Sequence, residues 1–216
     1  MLREVSADML TPENRFGAGD MVKIGCNDCK GCSDCCRDME ATIVLDPYDV
    51  YRLTQFLNQS FESLIGNGVE LSVVDGLILP LLSMENDKGC CRFLDETGRC
   101  SVHPARPGIC RLYPLGRIYE GDEFFYFLQT DACPAKNKTK VKIKKWLSEE
   151  NYTGYEAFVR AWHGLIVKKR QAAAQASGLE EQKALSMELL TTFYVNGYRR
   201  GEEILPQLME RIAKCM

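Results

Sequence analysis

The sequence predicts an α+β fold, in which a small antiparallel sheet and cysteine-rich loops are followed by a helical C-terminal region. Two observations lead to this prediction. Ten of the eleven cysteines lie at or before Cys133, and beyond that residue the apolar side chains recur with helical spacing. We therefore expect a cysteine-cluster region over residues 1–135 and a helical region over residues 136–216 that packs on it, the two forming one compact unit.

The first elements are predicted from local signals. Residues 1–25 carry weak periodicity, so we expect an irregular start. The segment 26–36 contains glycine, asparagine, aspartate and serine, a composition typical of a chain of turns. Asp46 before Pro47 predicts the start of a helix, because aspartate caps helix N-termini and proline favours the first helical position. That helix should end near Asn58.

Later elements are predicted from periodicity. Apolar runs rich in β-branched or aromatic residues predict strands, and apolar side chains at helical spacing predict helices. The predicted strands cover residues 41–45 and 77–84, and a hairpin covers 115–129 with its turn at 120–123. The predicted C-terminal helices cover residues 141–150, 155–176, 180–196 and 202–214.

The overall charge excludes several classes of function. The 27 lysine and arginine residues against 30 aspartate and glutamate residues give a net charge of −3, so the surface as a whole does not attract nucleic acid or anionic lipid. No apolar run is long enough to span a bilayer, and the first residues lack the pattern of a secretory signal. We expect a cytoplasmic protein without a membrane partner, and the charge argues against nucleic acid.

The spacing of the cysteines points to a bound metal. Five of them lie within eleven residues, namely Cys26, Cys29, Cys32, Cys35 and Cys36. Disulfides are rare in the reducing cytoplasm, and packing gives no reason to place cysteines three residues apart in a glycine-containing loop. Cys-x2-Cys spacing instead lets two thiolates converge on one ion or one cluster. The cysteine-rich loops are therefore predicted to surround a metal centre.

Two metals fit this spacing. Repeated Cys-x2-Cys is the pattern with which bacterial ferredoxins hold a [4Fe-4S] cluster, although here Cys36 follows Cys35 directly. Zinc accepts four thiolates, or three and an imidazole, and ligand type alone does not separate zinc from iron. Adjacent cysteines point in different directions and so serve different atoms of a polynuclear centre, or two separate ions. This geometry favours a [4Fe-4S] cluster, with zinc as the alternative.

Four ordered motifs in the cysteine region resemble a known family. They are Cys29-x2-Cys32-x2-Cys35-Cys36, Cys91-Arg-Phe-Leu-Asp, Gly98-Arg-Cys100-Ser-Val-His103 and Arg106-Pro107-x2-Cys110-Arg111-x-Tyr113-Pro114. In this combination the segment 26–135 resembles the CxxCxxCC cysteine-cluster family. That family is a candidate zinc- or iron-chelating domain and is similar to bacterial flagellin lysine N-methylases.

The resemblance implies a set of ligands and a kind of chemistry. Cys26 and Cys90 stand beside motif positions. If the likeness to the methylases extends to activity, the chain modifies a protein or peptide and uses S-adenosylmethionine at or beside the cluster. The implied metal ligands are Cys29, Cys32, Cys35, Cys36, Cys91, Cys100, Cys110 and Cys133. Eight thiols match two four-ligand sites, one cluster plus one zinc, or one cluster with spare thiols.

Arginines and histidines extend the candidate site. Arg106 and Arg111 flank Cys110, where a guanidinium would offset the charge of thiolates and bind the cofactor; each would equally suit a surface ion pair. His103 lies three residues after Cys100 and is either a ligand or a turn residue. His163 lies on an apolar helical face and is better explained by packing.

Three roles stay open at this stage. No GxGxxG, Walker, HExxH or GxSxG motif is present, so catalytic residues stay unassigned and only Tyr48, Tyr113 and Tyr119 offer acid–base groups, each also explained by structure. A modifying enzyme would need a pocket beside the metal. A structural module would close the metal site and present the helical tail to a protein partner, and a transfer protein would exchange electrons or metal.

Six lysines between residues 136 and 145 form the densest run of charge. Such a run binds nucleic acid or an acidic partner, or simply forms a solvated face. Because Val141, Ile143 and Trp146 are interleaved with the lysines, we expect the run to begin a helix and to be solvated.

Overall fold

The fold is a mixture of small sheets and helices, as the sequence predicts. The computed structural model describes residues 9–26, 32–37, 39, 42–85, 89–121, 123–130 and 132–216. In these residues every strand precedes Ile143, and the long helices of the C-terminal region follow. No helix in the described part of the chain is both long enough and apolar enough to cross a membrane.

The described strands pair into four two-stranded antiparallel sheets. The pairs are β1 with β8, β2 with β3, β4 with β5, and β6 with β7. Their bounds are β1 Met21–Gly25, β2 Val69–Val74, β3 Leu77–Leu82, β4 Met84–Glu85, β5 Cys90–Cys91, β6 Leu115–Glu120, β7 Glu123–Leu128 and β8 Thr139–Lys142.

Helical turns and α-helices complete the described structure. The described 3₁₀ turns are Pro12–Asn14, Asp34–Cys36 and His103–Ala105, and a π-helical turn follows at Thr191–Val195. The helices are α1 Pro47–Leu57, α2 Phe61–Leu64, α3 Gly108–Leu112, α4 Ile143–Trp146, α5 Tyr152–Gln175, α6 Leu179–Leu190 and α7 Ile204–Cys215.

Helix α1 confirms the prediction made from its caps. The side chain of Asp46 accepts a hydrogen bond from the backbone N–H of Asp49 at 2.8 Å, and the Asp49 side chain accepts one from Asp46 N–H in return. This reciprocal capping box satisfies donors that the first turn would otherwise leave without partners. The helix ends where Asn58 adopts the left-handed conformation, with φ of 51°.

One hairpin was predicted in full and a second only in part. The hairpin over 115–129 forms as expected. The predicted strand over 77–84 divides into β3 and β4, and β3 pairs with β2, which the sequence did not predict. Asp75 and Gly76 join β2 to β3 with φ of 50° and 82°, the positive values that a two-residue type I′ turn requires.

Three predictions were wrong near the ends of the cysteine region. The strand expected over 41–45 is reduced to a single bridge between Val44 and Leu81. Residues 21–25 form strand β1 instead of an irregular start, and residues 139–142 form β8 where a helix was expected. The β1–β8 pairing forms because lysine and valine alternate over residues 140–142 with the period of two that strands have. Val141 therefore pairs with Val22 on the buried face.

Two apolar cores hold these elements together. The larger core joins strands to the C-terminal helices, through side chains such as Leu53, Leu81, Phe158, Leu189 and Leu208. The smaller core lies beneath β1 and β8 and contains Val22, Ile24, Leu112, Tyr126, Ile143 and Leu147. Cys91 is part of the larger core, and Cys36, Cys100 and Cys110 pack against it. The cysteine loops therefore border the main core.

Candidate metal centre

The first cysteine segment is a tight turn. Cys36 N–H donates to the carbonyl of Ser33 at 2.8 Å, and the 3₁₀ turn Asp34–Cys36 brings the sulfurs of Cys35 and Cys36 to 4.0 Å from each other. Cys29 lies outside the described residues. The turn presents two neighbouring sulfurs at one edge of the main core, because Cys36 packs against that core.

A backbone bridge brings the second cysteine segment to the first. Arg37, the residue after Cys36, forms an antiparallel bridge with Cys90. The β4–β5 pair then fixes Cys91 opposite Met84, and Cys91 is only 5% exposed. Cysteine segments more than fifty positions apart in the sequence are thus held side by side by backbone pairing.

A turn held by the Asp95 side chain connects Cys91 to Cys100. The Asp95 carboxylate accepts hydrogen bonds from the backbone N–H groups of Thr97 and Arg99, both at 2.9 Å, and these bonds, with that from the Thr97 hydroxyl, lower the pKa of Asp95. Gly98 supplies the left-handed conformation of the turn, with φ of 76°. Leu94 and Cys100 then form a bridge that closes the loop.

Helix α3 carries Cys110 and is anchored to α1. Gly108 N–H donates to the Asp49 carboxylate at 2.7 Å. A side chain at Gly108 would collide with the Tyr155 hydroxyl, since an added Cβ would lie 2.6 Å from it. The close approach of Tyr155 therefore requires glycine at this position. The hydrogen bond from Gly108 to Asp49 fixes the position of the α3 turn that carries Cys110.

Five thiols influence one another's protonation and form what we call the central cluster. Burial, followed by the thiols of Cys100, Cys90 and Cys35, raises the pKa of Cys91 to about 11. Burial and then Cys91, Cys35 and Cys100 raise the pKa of Cys110. The hydrogen bond with Cys35, burial and neighbouring thiols raise the pKa of Cys36 as well. The central cluster consists of Cys35, Cys36, Cys91, Cys100 and Cys110.

Cys35 differs from the rest of the central cluster. Its hydrogen bond with Cys36 lowers the pKa of Cys35 to about 7, and the positive charge of Arg106 lowers it further, against the effect of burial. Arg106 also lowers the pKa of Cys100, against the larger effect of burial. Within the central cluster, Cys35 is thus the thiol most readily present as the thiolate, the form that binds metals.

Cys32 lies within the electrostatic reach of Cys133. The backbone N–H of Asp34 lowers the pKa of Cys32, but burial, the Asp34 carboxylate and Cys133 outweigh it and raise the pKa. Burial and then Cys133 and Cys35 raise the pKa of Tyr113 to about 12. Tyr113 therefore lies within the electrostatic reach of Cys32, Cys35 and Cys133.

The described side chains are suitable metal ligands, but they do not surround a single ion. Among the described residues, no three histidine, cysteine or acidic side chains are close enough to enclose an ion directly. The donors are nevertheless soft thiols, which select zinc and iron–sulfur clusters, and the buried Nε of Arg106 has no hydrogen-bond partner in the described structure. Ligation requires the thiols to draw together, after which Arg106 would face an anionic sulfur site.

Comparison with protein families gives the same assignment. Residues 28–146, more than half of the chain, match the family CxxCxxCC, described as a candidate zinc- or iron-chelating domain. The chain belongs to the CxxCxxCC family. No curated protein and no solved structure matches the chain. The helices from α5 onward lie beyond the part that the family covers.

The two arginines of the CxxCxxCC motif have different surroundings. Arg106 acts on the thiols, as described above. Arg111 is 4% exposed; its Nε donates to the carbonyl of Arg106 at 3.0 Å, and its Nη1 bonds the carbonyl of Leu147 and the carboxylate of Glu149. Burial lowers the pKa of Arg111. Arg111 thus links helix α3, which also carries Cys110, to Arg106 and to the segment 147–149.

A buried polar network behind the CxxCxxCC loop was missed by sequence reasoning. Arg52 pairs with Glu149 at 2.8 Å, and Asp49 lies within the electrostatic reach of Arg111. Burial and the Asp49 carboxylate raise the pKa of Asp46 to about 8, and burial raises that of Asp49. The capping-box spacing of Asp46 and Asp49 was a usable signal, whereas nothing local marks Glu149.

The remaining candidates lie around these sites. His103 begins the 3₁₀ turn after Cys100, whose carbonyl accepts from His103 N–H at 3.1 Å. His163 stacks on Tyr119 with ring centroids 3.5 Å apart, and burial lowers the pKa of this histidine. The Tyr48 hydroxyl donates to Glu149 at 3.0 Å. His163, Tyr119 and Tyr48 thus each have a packing or hydrogen-bonding role.

Two neighbouring clefts open on the side of the buried network. One, of about 440 Å³, is lined by residues of α1, the α4–α5 loop and the start of α7, including Tyr48, Arg52 and Glu149. The other, of about 620 Å³, is lined by residues 144–153. No cysteine lines either cleft.

Proposed function

We propose that this CxxCxxCC protein binds a [4Fe-4S] cluster through the thiols of its central cluster. The observation that carries the proposal is the bridging of Arg37 to Cys90 and of Leu94 to Cys100, which draws separate cysteine segments together near Arg106, whose buried Nε has no partner in the described structure. Either metal needs only four of these thiols, so their number does not separate zinc from iron. The adjacent pair Cys35 and Cys36 suits a polynuclear centre, and this feature supports iron over zinc.

The proposed ligands divide between the central cluster and other cysteines. Four of the five central thiols would hold the irons. Cys32, whose pKa Cys133 helps to raise, and Cys133 would complete a second site together with Cys29, or remain as spare thiols.

The surrounding residues would tune the centre. When bound, a [4Fe-4S] cluster supplies one-electron redox chemistry or an open iron position. Arg106 would offset the negative charge of the ligated thiolates. Because the pKa values of Cys91, Cys100 and Cys110 are raised, these thiols hold their protons at neutral pH, so loading with metal releases protons.

Methylase-like catalysis remains an expectation from the resemblance. An enzyme of that kind needs a pocket at the cluster, whereas the two clefts beside the buried network are lined by Tyr48, Glu149 and their neighbours rather than by cysteines. These two clefts therefore do not support binding of S-adenosylmethionine at the cluster. The alternative of a structural zinc module differs from the iron proposal in a directly measurable way.

Metal analysis of anaerobically purified protein tests the proposal. We expect a brown protein with about four iron and about four acid-labile sulfide per chain, because the central thiols suit a cubane. The control is the same protein purified in air with a chelator, which should lose colour and sulfide together. A colourless protein with stoichiometric zinc and no sulfide would overturn the iron assignment and favour the structural zinc module.

A further inference from the structure

The β1–β8 ribbon has one buried face and one basic face. The register pairs Val22 with Val141, and both contribute to the smaller core. Side chains alternate between faces along a strand, so Lys23, Lys140 and Lys142 share the opposite, exposed face. We call these three lysines the lysine face. The sequence alone suggested a helix here, and only the strand pairing brings Lys23 to the lysines of residues 136–145.

The charges of the lysine face are not neutralised within the described structure. Lys23 lies directly opposite Lys140, and like charges at such cross-strand positions repel. None of the three lysines forms an ion pair with a described carboxylate. Exposed Lys144 and Lys145 follow at once in α4. The fold thus concentrates positive charge where an anionic partner would relieve the repulsion.

The lysine face adjoins the cysteine region at both of its strands. β1 ends at Gly25, immediately before Cys26. Ahead of β8, the Lys138 ammonium donates to the carbonyl of Cys133 at 2.6 Å. A partner seated on the ribbon would therefore lie next to the cysteine loops.

We propose that the lysine face docks a short carboxylate-rich segment of a partner protein. The rest of the chain is acidic: outside the six-lysine run, 21 basic side chains face 30 acidic ones. A long polyanion such as duplex nucleic acid would extend past the ribbon and meet this repulsive surface, whereas a short acidic segment touches the lysines alone. No aromatic side chain belongs to the exposed face of β1 and β8, so base stacking has no platform.

The proposal goes beyond metal binding and holds whichever metal the cysteines bind. Its partner is defined by charge, so association is expected to be fast and strongly dependent on ionic strength. The ribbon packs on the smaller core through Val22 and Val141 rather than through the lysines. The lysine face can therefore be changed without removing the core contacts beneath it.

A binding experiment with the metal-loaded full chain tests the proposal. The probe is a short fluorescent poly-L-glutamate peptide, titrated at low and at physiological salt. The variant K23Q/K140Q/K142Q should bind at least about tenfold more weakly than the unchanged protein. The control variant K168Q/K183Q/K214Q removes the same charge from exposed positions on α5, α6 and α7 and should bind within about twofold of the unchanged protein. Circular dichroism checks that both variants are folded.

Several results would overturn the proposal. Equal weakening in the two variants would mean that net charge alone drives binding, and absence of binding at low salt would mean that the lysine face has no acidic partner. Tighter binding of a DNA duplex than of the peptide would assign the surface to nucleic acid, and tighter binding of phosphatidylglycerol vesicles would assign it to a membrane. If the ribbon variant fails to fold, the single variant K140Q replaces it and should weaken binding at least about twofold.

Discussion

Replacing Cys110 by serine is expected to remove the metal from the protein. Cys110 lies within the central cluster, where burial and the thiols of Cys91, Cys35 and Cys100 raise its pKa. Serine keeps the size of the side chain but offers no thiolate. Even changes to residues that only orient metal ligands weaken binding by about 10- to 100-fold, so the loss of a ligand should reduce metal affinity at least that much.

Cys215→Ser is the matched control. Cys215 ends α7, and after burial the groups that affect its pKa are Glu188 and Lys169, far in sequence from the cysteine loops. Metal content per chain after purification and dialysis against a chelator is the measurement. We expect full retention in Cys215→Ser, and the sequence predicts that Cys29→Ser behaves like Cys110→Ser. Equal loss from all three variants would refute the division between ligands and the remaining thiol.

Replacing Arg111 by methionine is expected to lower the free energy of unfolding by about 3–5 kcal/mol. Arg111 is buried and bonds the Glu149 carboxylate and two backbone carbonyls. Methionine fills part of the space but leaves Glu149, whose side chain is 6% exposed, with Arg52 and Tyr48 as its remaining side-chain partners in the described structure. The cost comes from the carboxylate left buried rather than from the lost contact alone.

Urea unfolding of the metal-loaded protein measures this change. The control is Arg15→Met, because Arg15 pairs with Glu120 on the surface, where the two side chains are 50% and 54% exposed. Its expected effect is at most about 1 kcal/mol. Similar losses in the two variants would show that burial of the Arg111 network adds nothing to stability.

Local parts of the fold could be predicted from the sequence. The caps of α1 are read from Asp46, Pro47 and Asn58, since each acts on the backbone within a few residues. The 115–129 hairpin follows from its aromatic arms and turn. The position of Arg106, four residues before Cys110, suggested either a charge beside the thiols or a surface ion pair, and the structure places it within the electrostatic reach of Cys35 and Cys100.

Contacts between distant segments could not be predicted in this way. The pairing of β1 with β8 joins residues more than a hundred positions apart, and the lysine-rich strand was taken for a helix because its partner was not visible. The bridge between Arg37 and Cys90, which joins the two cysteine segments, has no local signal either. Glu149 joins the Arg111 network only through tertiary packing. The partition of the thiols therefore required the structure.

X-ray absorption at the edge of the bound metal tests the central claim, that cysteine sulfurs from separate segments ligate one inorganic centre. The account predicts a nearest shell made of sulfur, at about 2.3 Å if the metal is zinc, and little bound metal in Cys110→Ser protein. A nearest shell of oxygen or nitrogen, or full metal retention in Cys110→Ser protein, would contradict it.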